Sequence, residues 1–167
     1  MPGKINTYNL EAKIKNRGTL RRIIAKLSST GKKAVFTNGC FDLIHYGHVK
    51  YLQDAKKLGD ILIVAVNSDA SVRKIKGNKR PIVCQGDRMK VIAALESVDF
   101  VTMFGEDNPL NTIKMLKPGI LVKGADWGKD DIVGAGFVKS YGGKVKTIKL
   151  AKGRSTTNLI NKIAKSL

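Results

Sequence analysis

Residues 37–48 read Thr-Asn-Gly-Cys-Phe-Asp-Leu-Ile-His-Tyr-Gly-His, and this stretch allows one kind of local architecture. Ahead of it, Ala34, Val35 and Phe36 make a short apolar run of strand type. Behind it, Val49, Leu52, Ala55 and Leu58 recur at helical spacing. Thr37–His48 is therefore a strand-to-helix connection with Gly39 and Gly47 at its turns. A helix that begins near Gly47 aims its free N–H groups and positive dipole end into that connection. Such a place binds anions. His45 and His48 are the chain's only histidines. Three residues apart, they project to the same side and offer donors to phosphate oxygens where charge develops. A His-x-x-His pair also suits a metal, but such sites need further Cys, His or carboxylate ligands, and none is clustered with the pair in sequence.

The remaining pattern repeats this alternation. Strands are expected at Lys33–Asn38, Ile61–Asn67, Phe100–Phe104, Ile120–Lys123 and Lys144–Leu150. Helices are expected at Thr19–Leu27, Gly47–Leu58, Ser68–Lys74, Gln85–Leu95, Pro109–Leu116, Asp130–Tyr141 and Thr156–Ala164. Ile61–Asn67 is apolar almost throughout, as a strand buried on both faces must be. The fold class that follows is α/β: a single Rossmann-like, doubly wound domain with a five-stranded parallel sheet. Its ligands should bind at the carboxyl ends of the strands, near the switch in strand order. A length of 167 residues suits one such domain, expected over residues 19–167, with residues 1–18 as a polar N-terminal arm. The apolar Leu10, Ile14 and Leu20 could serve an interface between copies.

With 43% hydrophobic and 26% charged residues, the chain is of globular type. No apolar run approaches the ~20 residues of a membrane span. Met1–Ile14 lacks the apolar core of a secretory signal, so a cytoplasmic location is expected. Cys40 and Cys84 have no framework spacing and read as free thiols. Cys40 lies inside the phosphate turn, but no spare histidine is present to activate it as a nucleophile. The net charge of +18 raises the possibility of a nucleic-acid surface. Against it, the lysines are spread along the whole chain, aromatic content is 6%, and no nucleic-acid-binding motif is present. A positive field equally draws in ATP and phosphorylated sugars.

Further groups carry chemistry. Lys74, Lys76, Lys79 and Arg80 read as a basic loop over Lys74–Arg80, fit to meet a leaving pyrophosphate. Asp87-Arg88 opens the next helix. Lys123-Gly124-Ala125-Asp126-Trp127 follows the fourth strand, where a lysine and an aspartate around a glycine can hold a ribose or a base edge. Trp127 either stacks on a ligand or plugs the domain edge. Ser155, Thr156 and Thr157 precede the last helix and, taken alone, read as ordinary caps.

Taken together, these motifs resemble the nucleotidyltransferase superfamily that carries a His-x-Gly-His signature. From Lys33 to Ile163 they are most similar to its adenylyltransferase branch that makes ADP-heptose. The resemblance rests on Val35–Asp42, Val66–Asp69, Lys76-Gly77, Arg80-Pro81-Ile82, Asp87-Arg88, and Lys117-Pro118 ahead of Leu121–Trp127. It implies that His45 and His48, with Gly47 between them, bind the nucleotide phosphates and stabilise a pentacovalent transition state. Thr37, Asn38, Gly39, Cys40 and Phe41 would line the preceding turn. Lys76 would act on the triphosphate, and Arg80, Arg88 and Asp42 on the substrate. Lys123, Gly124 and Asp126 would hold the nucleoside, and Ser155, Thr156 and Thr157 would grip the triphosphate. The implied reaction joins ATP to D-glycero-β-D-manno-heptose 1-phosphate, giving ADP-heptose and pyrophosphate for lipopolysaccharide or another surface glycan. Other acceptors on the same fold, such as glycerol 3-phosphate or a flavin mononucleotide, form the alternative. Mg2+ would arrive with ATP, held mainly by phosphates and water, with Asp42 a candidate contact. The resemblance also implies a homo-oligomer, most simply a dimer, and a separate heptose kinase. One departure counts against a cytidylyltransferase: related cytidylyltransferases have Arg-Thr-Glu-Gly-Ile-Ser-Thr before the last helix, where this chain has Leu150-Ala151-Lys152-Gly153-Arg154-Ser155-Thr156.

Overall fold

The apolar runs form five parallel strands: β1 (Ala34–Gly39), β2 (Ile61–Asn67), β3 (Phe100–Phe104), β4 (Ile120–Gly124) and β5 (Lys144–Ile148). The structure is a computed structural model and describes residues 9–126, 128, 131–151, 153 and 155–166. Trp127, and with it the choice between ligand stacking and edge packing, lies outside the described residues. Strand order is β3-β2-β1-β4-β5. The chain thus runs outward from β1 through β2 to β3, then returns to place β4 on the other side of β1. That reversal puts the switch point between the carboxyl ends of β1 and β4, where a doubly wound sheet leaves a crevice.

Period-two alternation sorts the strand residues onto two faces. On one face Val35, Leu62, Val64, Val66, Val101 and Val122 pack with Leu52 and Ala55 of α3 (Tyr46–Lys56) and Ile92 and Ala93 of α5 (Gln85–Ala93). On the other, Phe36, Ile63, Ala65 and Leu121 pack with three helices. These are α2 (Arg17–Ser29), α6 (Leu110–Leu116) and α7 (Ala135–Ser140). Covering both faces is why β1 and β2 read as unbroken apolar runs rather than alternating ones.

The polar arm is partly built. Residues Leu10–Lys13 form the short helix α1, and Ile14 bridges Val101 on the exposed edge of β3. Lys13 Nζ donates to the carbonyls of Val98 (2.8 Å) and Leu95 (3.3 Å) beyond α5. α2 then starts at Arg17, capped by the Asn16 side chain, two residues before the expected Thr19.

Two expectations are corrected. Lys74–Arg80 is not all loop: α4 (Asp69–Lys76) carries Lys74 and Lys76 in its last turn. Ser68 caps its start, Asp69 lies in its first turn and cations lie in its last, an order that the helix dipole favours. Gly77, at φ +91°, ends it. The helix expected over Asp130–Tyr141 is only Ala135–Ser140 among the described residues, because Gly134 sits at φ +86°, outside right-handed helix. A side chain at Gly134 would meet Ile113 Cδ1 at 2.8 Å. No helix among the described residues is long and apolar enough to cross a membrane.

Candidate active site

A cleft of about 370 Å³ opens at the carboxyl ends of β1 and β4. Its walls bring together Asn38, Gly39, Cys40, Phe41, Asp42, His45, Gly47, His48, Lys76, Arg80, Lys123, Gly124, Asp126, Ser155, Thr156 and Thr157, which lie far apart in the chain.

The two histidines are joined by their backbone roles. His45 is the N-cap of α3, and its Nδ1 accepts from the N–H of Gly47 at 3.1 Å. His48 closes the reciprocal half of a capping box, its Nδ1 accepting from the N–H of His45 at 3.4 Å. A backbone N–H can only donate, so each Nδ1 must be bare and each neutral ring carries its proton on Nε2. The rings stack with centroids 4.0 Å apart, and the Phe41 ring meets His48 edge-on at 5.5 Å. Burial, followed by the neighbouring His45, lowers the His48 pKa to about 4. At neutral pH His48 is an uncharged Nε2–H donor.

Phe41 reaches this position through a left-handed backbone, φ +46°, unusual for a bulky residue. Its ring lies over Gly39, where an added Cβ would come within 3.0 Å of it. Gly39 and Phe41 therefore fix the turn between them. Across the cleft, Ser155 Oγ caps α8 (Thr156–Ala164) by accepting from Asn158 N at 3.0 Å. Thr156 Oγ1 donates to the Leu43 carbonyl at 3.1 Å and ties this helix start to the loop ahead of His45. The N-termini of α3 and α8 thus flank one cavity, an arrangement suited to a polyanion.

The cations divide. Lys76 and Arg80 line the cleft, whereas Lys74 pairs with Asp107 at 2.9 Å at an exposed site. Lys123 is deeply set and donates to the Asn38 carbonyl at 3.2 Å. Burial lowers its pKa to about 8, while Cys40 and Asp126 pull the other way. Its ammonium is charged below pH 8 and neutral above it. Nucleotide affinity should therefore weaken several-fold between pH 7 and 9 and stay flat in Lys123→Arg, whose guanidinium does not titrate there. Calorimetric titration across that range checks this, and a pH-independent wild-type affinity would remove Lys123 from nucleotide binding.

Gly124 is closely fitted: a Cβ there would overlap Asp126 Oδ1 and press on Leu150 at 3.1 Å. Burial pushes the Cys40 thiol up, against the pull of Lys76, Arg88 and Arg80, so it stays a neutral thiol.

Two predicted contacts are absent from the cleft. Thr37 is fully buried beneath it, its hydroxyl 2.8 Å from that of Tyr51. It shares the β1 face of Val35, which α3 covers, so it supports the wall and does not line it. Arg88 is likewise sealed. Its guanidinium donates to the carbonyls of Val83 (2.9 Å), Cys40 and Asn67 (2.8 Å) and to Asp69 Oδ1 (2.8 Å). With its side chain fully buried and Nε, Nη1 and Nη2 all engaged, Arg88 is placed to brace the loops beneath the cleft.

Tyr51, Leu150 and Ala151 line the cleft without having been singled out. Tyr51 was within reach of sequence reasoning, lying three residues past His48 on the same helix face. Leu150 and Ala151 offer no polar chemistry to single them out, and β5 ends at Ile148, short of the expected Leu150, which leaves both in the segment beside the cleft.

The cytidylyltransferase-like family model matches residues 36–161. The chain is 53% identical over 156 residues to the bifunctional protein HldE of Geobacter sulfurreducens, covering 93% of this chain and 32% of that protein. It is 54% identical to the HldE of Trichlorobacter lovleyi, over 92% of this chain and 31% of the relative. The chain thus spans about a third of the length of these curated relatives. Among solved structures, a lipopolysaccharide core biosynthesis protein from Thermoplasma volcanium superposes with a TM-score of 0.60 at 32% identity, covering 74% of this chain and all of that one. Pantoate–β-alanine ligase from Francisella tularensis, at 16% identity and TM-score 0.58 over 91% of this chain and 78% of its own, shares the fold.

Proposed function

The chain belongs to the cytidylyltransferase-like family, and from that premise we propose that it transfers the adenylyl group of ATP to a sugar 1-phosphate, D-glycero-β-D-manno-heptose 1-phosphate, releasing pyrophosphate. The observation that carries the reading is the histidine capping box. It presents two Nε2–H donors at the N-terminus of α3, with the N-terminus of α8, Lys76 and Arg80 around the same cavity.

A phosphate oxygen of the acceptor attacks the α-phosphorus of ATP. The new P–O bond forms as the bond from that phosphorus to the α,β-bridging oxygen breaks, and the electron pair leaves with pyrophosphate. The nucleophile is already an anion at neutral pH, so the step needs no general base. The chain's part is to hold both reactants in line and to meet the charge that develops. His45 and His48 donate toward the transferring phosphoryl group. Lys76 and Arg80 face the leaving group, and Lys123, Gly124 and Asp126 hold the nucleoside end.

Magnesium fits this cleft as an ion carried by the nucleotide. Among the described residues no group of three or more His, Cys, Asp or Glu is gathered for a metal. The Asp42 carboxylate is occupied by Ile82, Val83 and Arg80, which leaves Asp126 as the cleft carboxylate open to contact. When bound, the ion would offset triphosphate charge, held by phosphate oxygens, water and Asp126.

The HldE names and the heptose-type sequence motifs support the heptose acceptor. A pyrophosphate-release assay with ATP and CTP against heptose 1-phosphate, glycerol 3-phosphate and flavin mononucleotide tests it. ATP with heptose 1-phosphate should be fastest. Preference for CTP would move the chain to another branch, and preference for another acceptor would replace the sugar.

A further inference from the structure

We propose that Asp42 is a positioning residue that aims Arg80 at the leaving group, not a ligand of substrate or metal; this rests on the nucleotidyl-transfer reading. The Asp42 side chain is 1% exposed although it borders the cleft. Its Oδ1 accepts from the N–H groups of Ile82 and Val83 at 2.9 Å, and its Oδ2 accepts from Ile82 N at 2.9 Å and Arg80 Nε at 2.6 Å. Three donors hold the carboxylate, the Ile82 N–H shared between its two oxygens, and with the side chain 1% exposed both oxygens are committed to the Arg80–Val83 segment. Burial alone would raise its pKa, but the N–H groups of Ile82 and Val83 and the Arg80 guanidinium outweigh burial and hold it below the usual carboxylate value.

Arg80 is placed by the same contact. Arg80 lines the cleft with its side chain 15% exposed; its Nε is engaged by Asp42, while its terminal nitrogens have no partner among the described residues. A guanidinium is planar, so anchoring it through Nε fixes the plane in which its outer edge meets an anion. Arg88 completes the frame from below: it donates to the Cys40 carbonyl in the phosphate turn and to the Val83 carbonyl in the Arg80–Val83 segment. The two segments are therefore tied by Asp42 on one side and Arg88 on the other. Lys76, exposed on the last turn of α4, has no comparable anchor among the described residues. The site thus pairs one unanchored cation with one pre-aimed cation, and only the pre-aimed one meets developing charge without reorganising.

A double-mutant cycle on kcat tests this. Asp42→Asn should lower kcat about tenfold with little change in KM for ATP, because a misaimed Arg80 fails at the transition state more than in the ground state. In an Arg80→Ala background the same change should cost less than about twofold. Equal losses in both backgrounds would overturn the inference. So would a shift by Asp42→Asn in the magnesium concentration needed for half-maximal rate, which would make Asp42 a metal contact. Should Asp42→Asn not fold, Arg80→Lys keeps the charge without the Nε anchor. It should lose nearly as much kcat as Arg80→Ala, and a lysine that restores the rate overturns the proposal. An inactive wild type would fail the nucleotidyl-transfer reading and this inference with it; an active wild type with additive losses fails the inference alone.

Discussion

Replacing His48 with alanine should lower kcat by about 10²–10³ and change nucleotide affinity far less. Loss of one preorganised donor at a developing charge costs roughly 2.7–4 kcal/mol. The ring's Nδ1 is tied to the His45 N–H and its pKa lies near 4, so what is lost is a neutral Nε2–H donor. Such a donor binds a ground-state phosphate modestly and gains strength as charge builds, which places the loss in kcat and not in KM. No rate change from this ring is expected between pH 6 and 8, because it is uncharged throughout. The fold survives: the 3.4 Å capping bond is long, and removing a helix cap costs only about 1 kcal/mol. Single-turnover rates beside melting curves separate the two effects. Near-wild-type turnover after changing both His45 and His48 to alanine would end the reading of this cleft as the reaction site.

Arg88→Met should unfold at markedly lower urea concentration than the wild type. The side chain is fully buried and serves four acceptors from four places: the turn after β1, the end of β2, the first residue of α4 and the loop ahead of α5. Methionine fills similar volume but leaves the carbonyls of Cys40, Asn67 and Val83 unpaired and strands Asp69. Removing one partner of a buried ion pair costs roughly 3–5 kcal/mol. The lower end applies here, since the Asp69 side chain is still 24% exposed. Arg88→Lys should recover little, because a point ammonium on a flexible stem cannot reproduce a planar fork serving four acceptors. A folded Arg88→Met of unchanged midpoint, weakened only in substrate affinity, would restore Arg88 to the substrate-contacting role that its sequence position suggests.

These two residues show what could be read early. His45 and His48 are legible because their meaning is local: a strand, two glycines and a helix start within twelve residues fix where they stand and what they face. The strand count and parallel sheet are legible for the same reason, as apolar runs alternating with helical periodicity. Arg88 is different. An arginine after an aspartate in the first turns of a helix reads as solvent- or substrate-facing, since burying a guanidinium is costly unless all its donors are met. Four contacts meet them, to the carbonyls of residues 40, 67 and 83 and the Asp69 carboxylate, distant or irregular segments whose convergence no local pattern records.

The sequence alone determined the class of fold, the turn after β1, the histidine pair at a helix start and the strand ends where such a fold leaves a crevice, because periodicity and turn chemistry act over a few residues. The tertiary structure decided which side chains face the cavity and which support it. Thr37 and Arg88 moved underneath, Lys74 turned out to Asp107, and Asp42 became an anchor for Arg80. Hydrogen-bond satisfaction in a buried setting depends on which distant donors and acceptors meet there, and that is set by strand order and loop closure, not by local spacing.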